Sequence, residues 1–269
     1  MTTFSFIQVT DHHLGESEDA LVRGFSPAYA LRRVLAHIAA HNASQADFIF
    51  STGDLVEPAT EAAYRSLRRM LNLKAAANPP GPGHITLEGL VDFPAYFIPG
   101  NHDERQNFLR GMFAEAPAAQ LVNTSFTHKG VQFICPDWGA QAKAVMHSTT
   151  LAFLASALQT NLPVIIVSHH HLAPVGVRWM DDFLAEDVDR FWQIVSAPVA
   201  REKILGILCA HVHLTYELQV EGIPVYGLRS TAFPLARTDE PLLTLQPPQY
   251  RLVTVREGSL ATQVFEVTL

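Results

Sequence analysis

The chain has 269 residues, of which 48% are hydrophobic and 17% charged, a composition that supports one compact globule with a sizeable core rather than a fibrous or low-complexity polymer. Its net charge of −7 argues against nucleic-acid backbone as a partner, and its apolar runs are too short and interrupted to span a bilayer. The N-terminus lacks a basic region ahead of an apolar stretch, and the 2 cysteines lie in apolar segments, so a cytoplasmic protein with reduced thiols is expected.

The first element is a strand over Phe4–Val9, which stops at Asp11-His12-His13. A helix should start at Ser26-Pro27, with serine as cap and proline in the first turn, and carry Ala28, Leu31, Leu35 and Ile38 on one face. Residues 46–50 form a second strand ending at Gly53-Asp54. A helix from near Pro58 follows, with Leu67, Met70 and Leu71 as its apolar side. Residues 74–92 contain Asn78-Pro79-Pro80-Gly81-Pro82-Gly83 and are expected as a loop excursion, because proline lacks the amide and the φ range of a ladder or helix. The strand at 96–98 then ends at Gly100-Asn101-His102-Asp103.

Downstream, residues 131–136 read as a strand and Ser148 as the cap of a helix bearing Leu151, Leu154 and Leu158. Strands at 164–167 and 204–208 end at His169-His170-His171 and His211-Val212-His213. Further strands are expected at 225–228, 250–255 and 262–267, with a second Pro-rich excursion at 235–248. No linker or internal repeat divides the chain, so a single domain over 1–269 is expected. Strand–helix alternation giving way to strands predicts two sheets face to face with helices outside.

Five strand-like runs thus stop at residues able to bind metal, and eight of the 13 histidines fall in these five clusters, so they are placed rather than scattered. Side chains at strand ends of a layered α/β protein converge on one crevice. Two carboxylates, an amide and several imidazoles gathered there suit a pair of divalent transition metals.

Taken in order, Asp-x-His, Gly-Asp, Gly-Asn-His-Asp, His and His-x-His resemble the calcineurin-like metallophosphoesterase superfamily. Thr10-Asp11-His12-His13-Leu14, Pro99-Gly100-Asn101-His102-Asp103, Ser168-His169-His170-His171 and Leu208-Cys209-Ala210-His211-Val212-His213 are closest to its class III cyclic-nucleotide phosphodiesterase branch, which also contains glycerophosphodiesterases. The resemblance implies a four-layer αββα sandwich of two mixed sheets, with the metal site at the C-terminal ends of strands. It implies one ion on Asp11, His13, Asp54 and His213 and another on Asp54, Asn101, His169 and His211, with Asp54 bridging. Iron or manganese is expected ahead of zinc or cobalt.

On a regular strand Asp11 and His13, two apart, would share a face and reach one ion. His102 should project over the substrate, stabilising phosphoryl oxygens or protonating the leaving alkoxide, with Asp103 orienting its ring. Asn101 also faces the substrate, His170 is expected as a substrate contact or outer support, and His12 as a pocket wall or a surface residue. Ala210 stands where the family usually has glycine, which bears on the pocket's dimensions.

The implied activity is hydrolysis of a small phosphodiester, 3′,5′-cyclic AMP first, by hydroxide held between the metals. A net charge of about +1 from two divalent ions, two aspartates and that hydroxide would attract a monoanion. Alternatives are a glycerophosphodiesterase or broad-specificity phosphoesterase, a phosphomonoesterase, and a metal-free interaction scaffold on the same fold. Partners are then a small diester and, from the apolar composition and the resemblance, a second copy of the chain as homodimer or larger.

Overall fold

The computed structural model describes residues 3–71, 73–75, 84–87, 93–113 and 120–269. The chain runs through β1 (Phe4–Val9), α1 (Pro27–His41), β2 (Ile49–Thr52), α2 (Glu61–Met70), β3 (Leu73–Ala75), β4 (His84–Leu87) and β5 (Phe93–Ile98). It continues as α3 (Arg105–Phe108), β6 (Thr124–His128), β7 (Val131–Cys135), α4 (Ser148–Ala157) and β8 (Val164–Val167). Three short helices follow, α5 (Arg178–Asp181), α6 (Asp189–Val195) and α7 (Pro198–Arg201). Strands close the chain: β9 (Ile204–Cys209), β10 (Tyr216–Val220), β11 (Ile223–Gly227), β12 (Gln249–Arg256) and β13 (Ser259–Glu266).

Two mixed sheets result, ordered β13-β12-β1-β2-β5-β4-β3 and β10-β11-β9-β8-β7-β6. Within the first, β1, β2 and β5 are mutually parallel. Within the second, β7, β8, β9 and β11 are parallel. Strand alternation assigns each side chain to a layer. Phe4 and Phe6 of β1 join Phe48, Phe50, Tyr96, Phe133, Ile165 and Val167 in a core between the sheets. Ile7 and Val9 face the other way, into a core with Leu31, Val34, Leu35 and Ile38 of α1 and Leu67 of α2. A third core covers the outer face of the second sheet with Leu151 and Leu154 of α4 and Phe191 of α6. Each fully buried Phe or Leu contributes about 1.5–3 kcal/mol, so the layers are fixed by the alternation itself.

α1 begins at Pro27 with Ser26 as N-cap, although the serine side chain makes no capping bond. α2 begins three residues after Pro58, because Thr60 supplies the cap and accepts from the Ala63 N–H at 3.1 Å. His147, not Ser148, is the N-cap of α4. The stretch expected as a loop at 74–92 enters with β3 and carries β4 before β5, an antiparallel extension at one edge of the first sheet. Its Pro/Gly centre at 76–83 lies outside the described residues. Strands β6 and β10, edge strands with alternating exposure, lacked the continuous apolar runs that mark the central ones. Among the described residues no helix is long and apolar enough to cross a membrane.

A buried ion pair joins the two sheets beside the strand ends. Arg105 of α3 reaches Asp137, just past β7, through Nε at 3.0 Å and Nη2 at 2.5 Å. Its Nη1 donates to the carbonyls of Gly100 (2.7 Å) and Asp103 (2.5 Å), so it clamps the turn that carries Asn101 and His102. Burial alone would raise the Asp137 pKa, but hydrogen bonds and charge from Arg105, with the amides of Val122 and Gly139, hold it below the ordinary value of 3.8.

A depressed carboxylate stabilises the fold fully above its unfolded pKa and loses that contribution as pH falls through the folded value. Asp137→Asn is therefore expected to destabilise the protein at pH 7 by about 3–5 kcal/mol, the cost of orphaning a buried charge. In thermal melts against pH, the gap between variant and wild type should stay open above pH 3.8 and close below it. A gap independent of pH would show that the charge of Asp137 is not what matters.

Candidate metal centre

The residues that converge do so from loops that leave β1, β2, β5, β8 and β9 at their C-terminal ends. Regular strand geometry does not bring them together. Asp11 and His13 have φ of 52° and 42°, Asp54 has 51°, and His211 and His213 have 71° and 51°. Left-handed backbone at residues other than glycine costs about 1–2 kcal/mol each, so something must hold it. The Asp11 N–H donates to Gly53 O at 3.0 Å, the His13 N–H to Asp54 O at 2.9 Å, and the Ala210 N–H to His169 O at 2.9 Å. Ala210 is fully buried with that bond made, so its methyl is accommodated. The expectation that Asp11 and His13 share a strand face is corrected accordingly: β1 has ended at Val9, and two left-handed residues flanking His12 aim the side chains.

The ligand atoms of Asp11, His13, Asp54 and His213 lie within 4.8 Å of one another, and so do those of Asp54, His169 and His211. Asp54 is common to both groups. Its Oδ2 is 3.6 Å from His13 Nε2 and its Oδ1 3.4 Å from His169 Nε2. Asn101 Oδ1 is 3.1 Å from His169 Nε2, which places the amide in the second group. Gly53 and Gly100 permit this crowding. A Cβ on Gly100 would strike the Asp54 carboxylate, and one on Gly53, whose φ is +100°, would strike the His169 ring.

The donor set fits a pair of cations. Asp11 is completely buried, yet neither carboxylate oxygen accepts a hydrogen bond, the His213 Nε2 standing 3.4 Å from Oδ1, and both ring nitrogens of His211 are buried without partners. Buried polar atoms are costly unless paired. The Nε2 atoms of His13 and His213 face each other at 3.3 Å, an arrangement of two lone pairs that a shared cation relieves. Three rings are preset for Nε2 ligation, because Nδ1–H donates elsewhere: His213 to Phe233 O at 2.7 Å, His169 to Thr52 O at 2.9 Å, and His13 to Glu57 at 3.1 Å. Burial would lower the His169 pKa, but the adjacent Asp54 carboxylate outweighs it and lifts it to about 9. Burial and the neighbouring His170, His169 and His171 push His211 well below its usual value, leaving a neutral imidazole ready to ligate.

Of the three consecutive histidines, His169 is the one brought to Asp54 and Asn101. His171 is buried and stacks on His211 at 5.7 Å. His170 is buried rather than facing a substrate: its Nε2 donates to Gln141 O at 2.9 Å, and its ring packs on His169 and His211. His12 is neither pocket wall nor surface. It lies behind the centre with Nδ1 at 2.6 Å from Thr231 Oγ1 and Nε2 at 2.6 Å from Ser51 Oγ, a post between two loops.

His102 is half-buried at the mouth of the centre, and its backbone N–H donates to Asp54 Oδ1 at 2.8 Å. Asp103 does not orient it. That carboxylate turns inward and accepts from Gly100 N at 2.7 Å, Tyr64 Oη at 2.7 Å and Leu55 N at 3.2 Å, bracing the turn from beneath. Burial and the Asp54 charge push Asp103 up to about 6 against those donors. The carboxylate beside the His102 ring is Glu57, with Oε2 3.8 Å from Nδ1, and the sequence reading missed it. The signal was present, since Glu57 follows Asp54 by three residues on the same loop.

A cavity of about 280 Å³ opens over the centre. Its floor includes His13, Asp54, Asn101, His211 and His213, with His102 at the side. Arg23, Trp179, Phe183, Phe233, Leu235 and Pro241 also line it. The first excursion, at 74–92, which the sequence leaves open as a surface loop, a rim of the metal site or an oligomer contact, does not line the cavity among the described residues, whereas the second, at 235–248, does through Leu235 and Pro241.

A family model described as calcineurin-like phosphoesterase matches residues 4–214. A protein of Colwellia psychrerythraea named "Probable cyclic nucleotide phosphodiesterase" is 28% identical, covering 97% of this chain and 94% of its own length. The 3′,5′-cyclic adenosine monophosphate phosphodiesterase CpdA of Vibrio vulnificus is 25% identical, covering 97% and 89%. Among solved structures, a purple acid phosphatase from yellow lupin seeds superposes with a TM-score of 0.66 at 12% identity, over 98% of this chain and 52% of that one, a likeness of fold alone.

Glu57 fixes the tautomer of His13, and loss of such an outer partner typically costs 10–100-fold in metal affinity. Glu57→Ala is expected to weaken metal retention by about that factor in chelator competition, with the thermal midpoint of the metal-stripped protein little changed. Unaltered retention would reduce the Glu57–His13 bond to a surface contact.

Proposed function

The chain belongs to the calcineurin-like phosphoesterases, and from that premise we propose that it is a dinuclear metal-dependent phosphodiesterase whose substrate is a small diester, 3′,5′-cyclic AMP first. Asp11, His13, Asp54 and His213 would hold one ion and Asp54, Asn101, His169 and His211 the other, with iron or manganese ahead of zinc or cobalt for these mixed oxygen and nitrogen donors. When bound, such a pair lowers the pKa of water and offsets negative charge on the phosphoryl oxygens.

The remaining work falls to the chain's own groups. Asp54 keeps the two donor sets at a fixed separation, because one carboxylate belongs to both. As water adds to phosphorus and one P–O ester bond breaks, the departing alkoxide needs a proton. His102 stands at the cavity edge with its ring partly exposed, and it is the residue assigned to donate that proton. Glu57 Oε2 lies 3.8 Å from its Nδ1, beyond hydrogen-bond reach, and is engaged by His13 instead. Asp103 contributes by holding the Gly100–Asp103 turn rather than by touching the ring.

The observation that carries the choice of a diester is the charge of the cavity. Among its described lining residues Arg23 is the one arginine or lysine, and Glu57 lies 4.0 Å from it. A phosphomonoester dianion calls for more fixed positive charge than this, whereas a diester monoanion does not. The cyclic-nucleotide relatives support the choice within diesters. A glycerophosphodiester is the second reading, since the ligands themselves do not distinguish alcohols. The orphaned buried donors argue against a metal-free scaffold.

Metal analysis of reconstituted protein is expected to give two ions per chain, and Asp54→Ala to lower the occupancy of both sites together. One full equivalent retained in that variant would refute the shared carboxylate. Across cyclic AMP, glycerophosphocholine, bis(p-nitrophenyl) phosphate and p-nitrophenyl phosphate, the diesters should be turned over and cyclic AMP should show the highest kcat/KM among the biological ones. Faster hydrolysis of the monoester would sink the proposal. His102→Ala should keep both metals and slow turnover by roughly 10²–10⁴-fold, the range for a positioned acid. Full turnover with a lowered melting point would leave His102 a structural residue.

A further inference from the structure

The lining of the cavity is mixed in chemistry. Arg23 lies over the Phe233 ring at 5.0 Å, Glu57 approaches Arg23, and Phe233 packs on His13 and His213. Trp179, Met180, Phe183, Leu235, Pro241 and Ala142 also line the cavity, side chains whose one strong polar group is the Trp179 indole N–H. Two segments distant in sequence supply most of this wall, and they are tied together. Trp179 Nε1–H donates to Thr238 O at 2.9 Å, and Arg237 Nη1 donates to Val175 O at 3.1 Å.

The bond to Thr238 has two consequences. It fixes the orientation of the indole, and it consumes the one polar group that Trp179 could offer a ligand. The ring therefore presents only its surface. Phe183 stands edge-on to Trp179, with centroids 6.4 Å apart at 89°, and edge-on to His211 at 6.0 Å and 82°. A flat group lying on the indole is thus one aromatic ring away from His211 of the second donor set.

We infer that this wall is the nucleobase platform of the proposed cyclic-nucleotide phosphodiesterase, with Trp179 as a specificity-determining residue that selects a purine by stacking rather than by reading its edge. The inference rests on the proposed function. Among the described residues, no side chain of the wall has a free hydrogen-bonding group beyond the weakly accepting sulfur of Met180, so the wall itself offers nothing that could distinguish strongly the exocyclic groups separating adenine from guanine. Sites without hydrogen bonds to a substrate's polar groups discriminate weakly between near-isosteres, and base–aromatic stacking is tolerant of base identity. A purine covers more of the indole than a pyrimidine and gains more from it.

The test compares kcat/KM for cyclic AMP, cyclic GMP, cyclic CMP and glycerophosphocholine in the metal-reconstituted full chain, its Trp179→Ala variant and its Trp179→Phe variant. Cyclic AMP and cyclic GMP should fall within about 10-fold of each other, both above cyclic CMP. Trp179→Ala should lower the ratio of cyclic-purine to glycerophosphocholine kcat/KM by about 5- to 150-fold, chiefly through KM, and Trp179→Phe should recover most of it. A larger preference between the two purines overturns the inference, as does an equal loss on every substrate in Trp179→Ala. If the wild type hydrolyses no cyclic nucleotide, the functional proposal falls. The platform is then judged by calorimetric titration with cyclic AMP, where weaker binding to Trp179→Ala than to wild type upholds it and unchanged or absent binding overturns it.

Discussion

Asp54 is buried at the meeting point of two sheets, and its carboxylate has to satisfy neighbours from both. It accepts the His102 N–H, lies near His13 from the first sheet, and lies near His169 from the second. Burial opposes its charge, yet the imidazoles around it hold its pKa far below the usual value. A carboxylate buried there needs donors or cations to offset its lost hydration. The surrounding architecture follows from meeting that demand: glycines where side chains would collide with it, strand ends aimed at it, and imidazoles whose distal nitrogens are tied back to the scaffold.

Holding the donors there costs backbone strain. Asp11, His13, Asp54, His211 and His213 all occupy left-handed conformations, and such strain persists only where surrounding structure over-determines it. Three kinds of restraint do this. Loop-to-loop backbone hydrogen bonds align the β1, β2, β8 and β9 exits. Buried side chains that reach no substrate, His12 and Asp103 above all, bridge those loops from behind. The Arg105–Asp137 pair then fastens the Asn101 turn to the second sheet. Several conspicuous polar residues in the motifs are therefore framework rather than chemistry.

Above the rigid centre, the cavity is assembled from segments that carry no metal ligand. Arg23 comes from the approach to α1, Trp179 and Phe183 from the region of α5, and Leu235 and Pro241 from the Pro-rich excursion. This division suits a phosphoesterase. The phosphoryl group is common to many esters, so in such an enzyme the alcohol portions are distinguished by residues outside the metal-binding set.

The five strand-to-ligand transitions were legible in the sequence because each combines two strong local signals, a buried apolar run and an abrupt polar stop. β1 and β8 run over the residues expected, and the ligand residues named from the motif gather around Asp54 as a group. The layer arrangement was legible too, since strand–helix alternation giving way to strands already implied two facing sheets with helices outside. The edge strands β6 and β10 and the β3–β4 extension were not, because an edge strand is half exposed and is specified by its neighbour more than by its own composition. Nor could local order assign the partners of ambiguous residues. Asp103 and Glu57 are both acidic and both near His102 in the loops, but only the packing of Tyr64, Leu55 and Gly100 turns Asp103 inward and leaves Glu57 beside the ring. His12 became a post because Thr231, 219 residues away, meets it. What the sequence determined by itself was which residues could bind metal and on which strand ends they lie, as both are local properties. Which neighbours face the substrate and which brace the frame, and the aromatic wall joining residues 175–183 to 235–241, were decided only by tertiary structure, since they depend on contacts between segments that no periodicity connects.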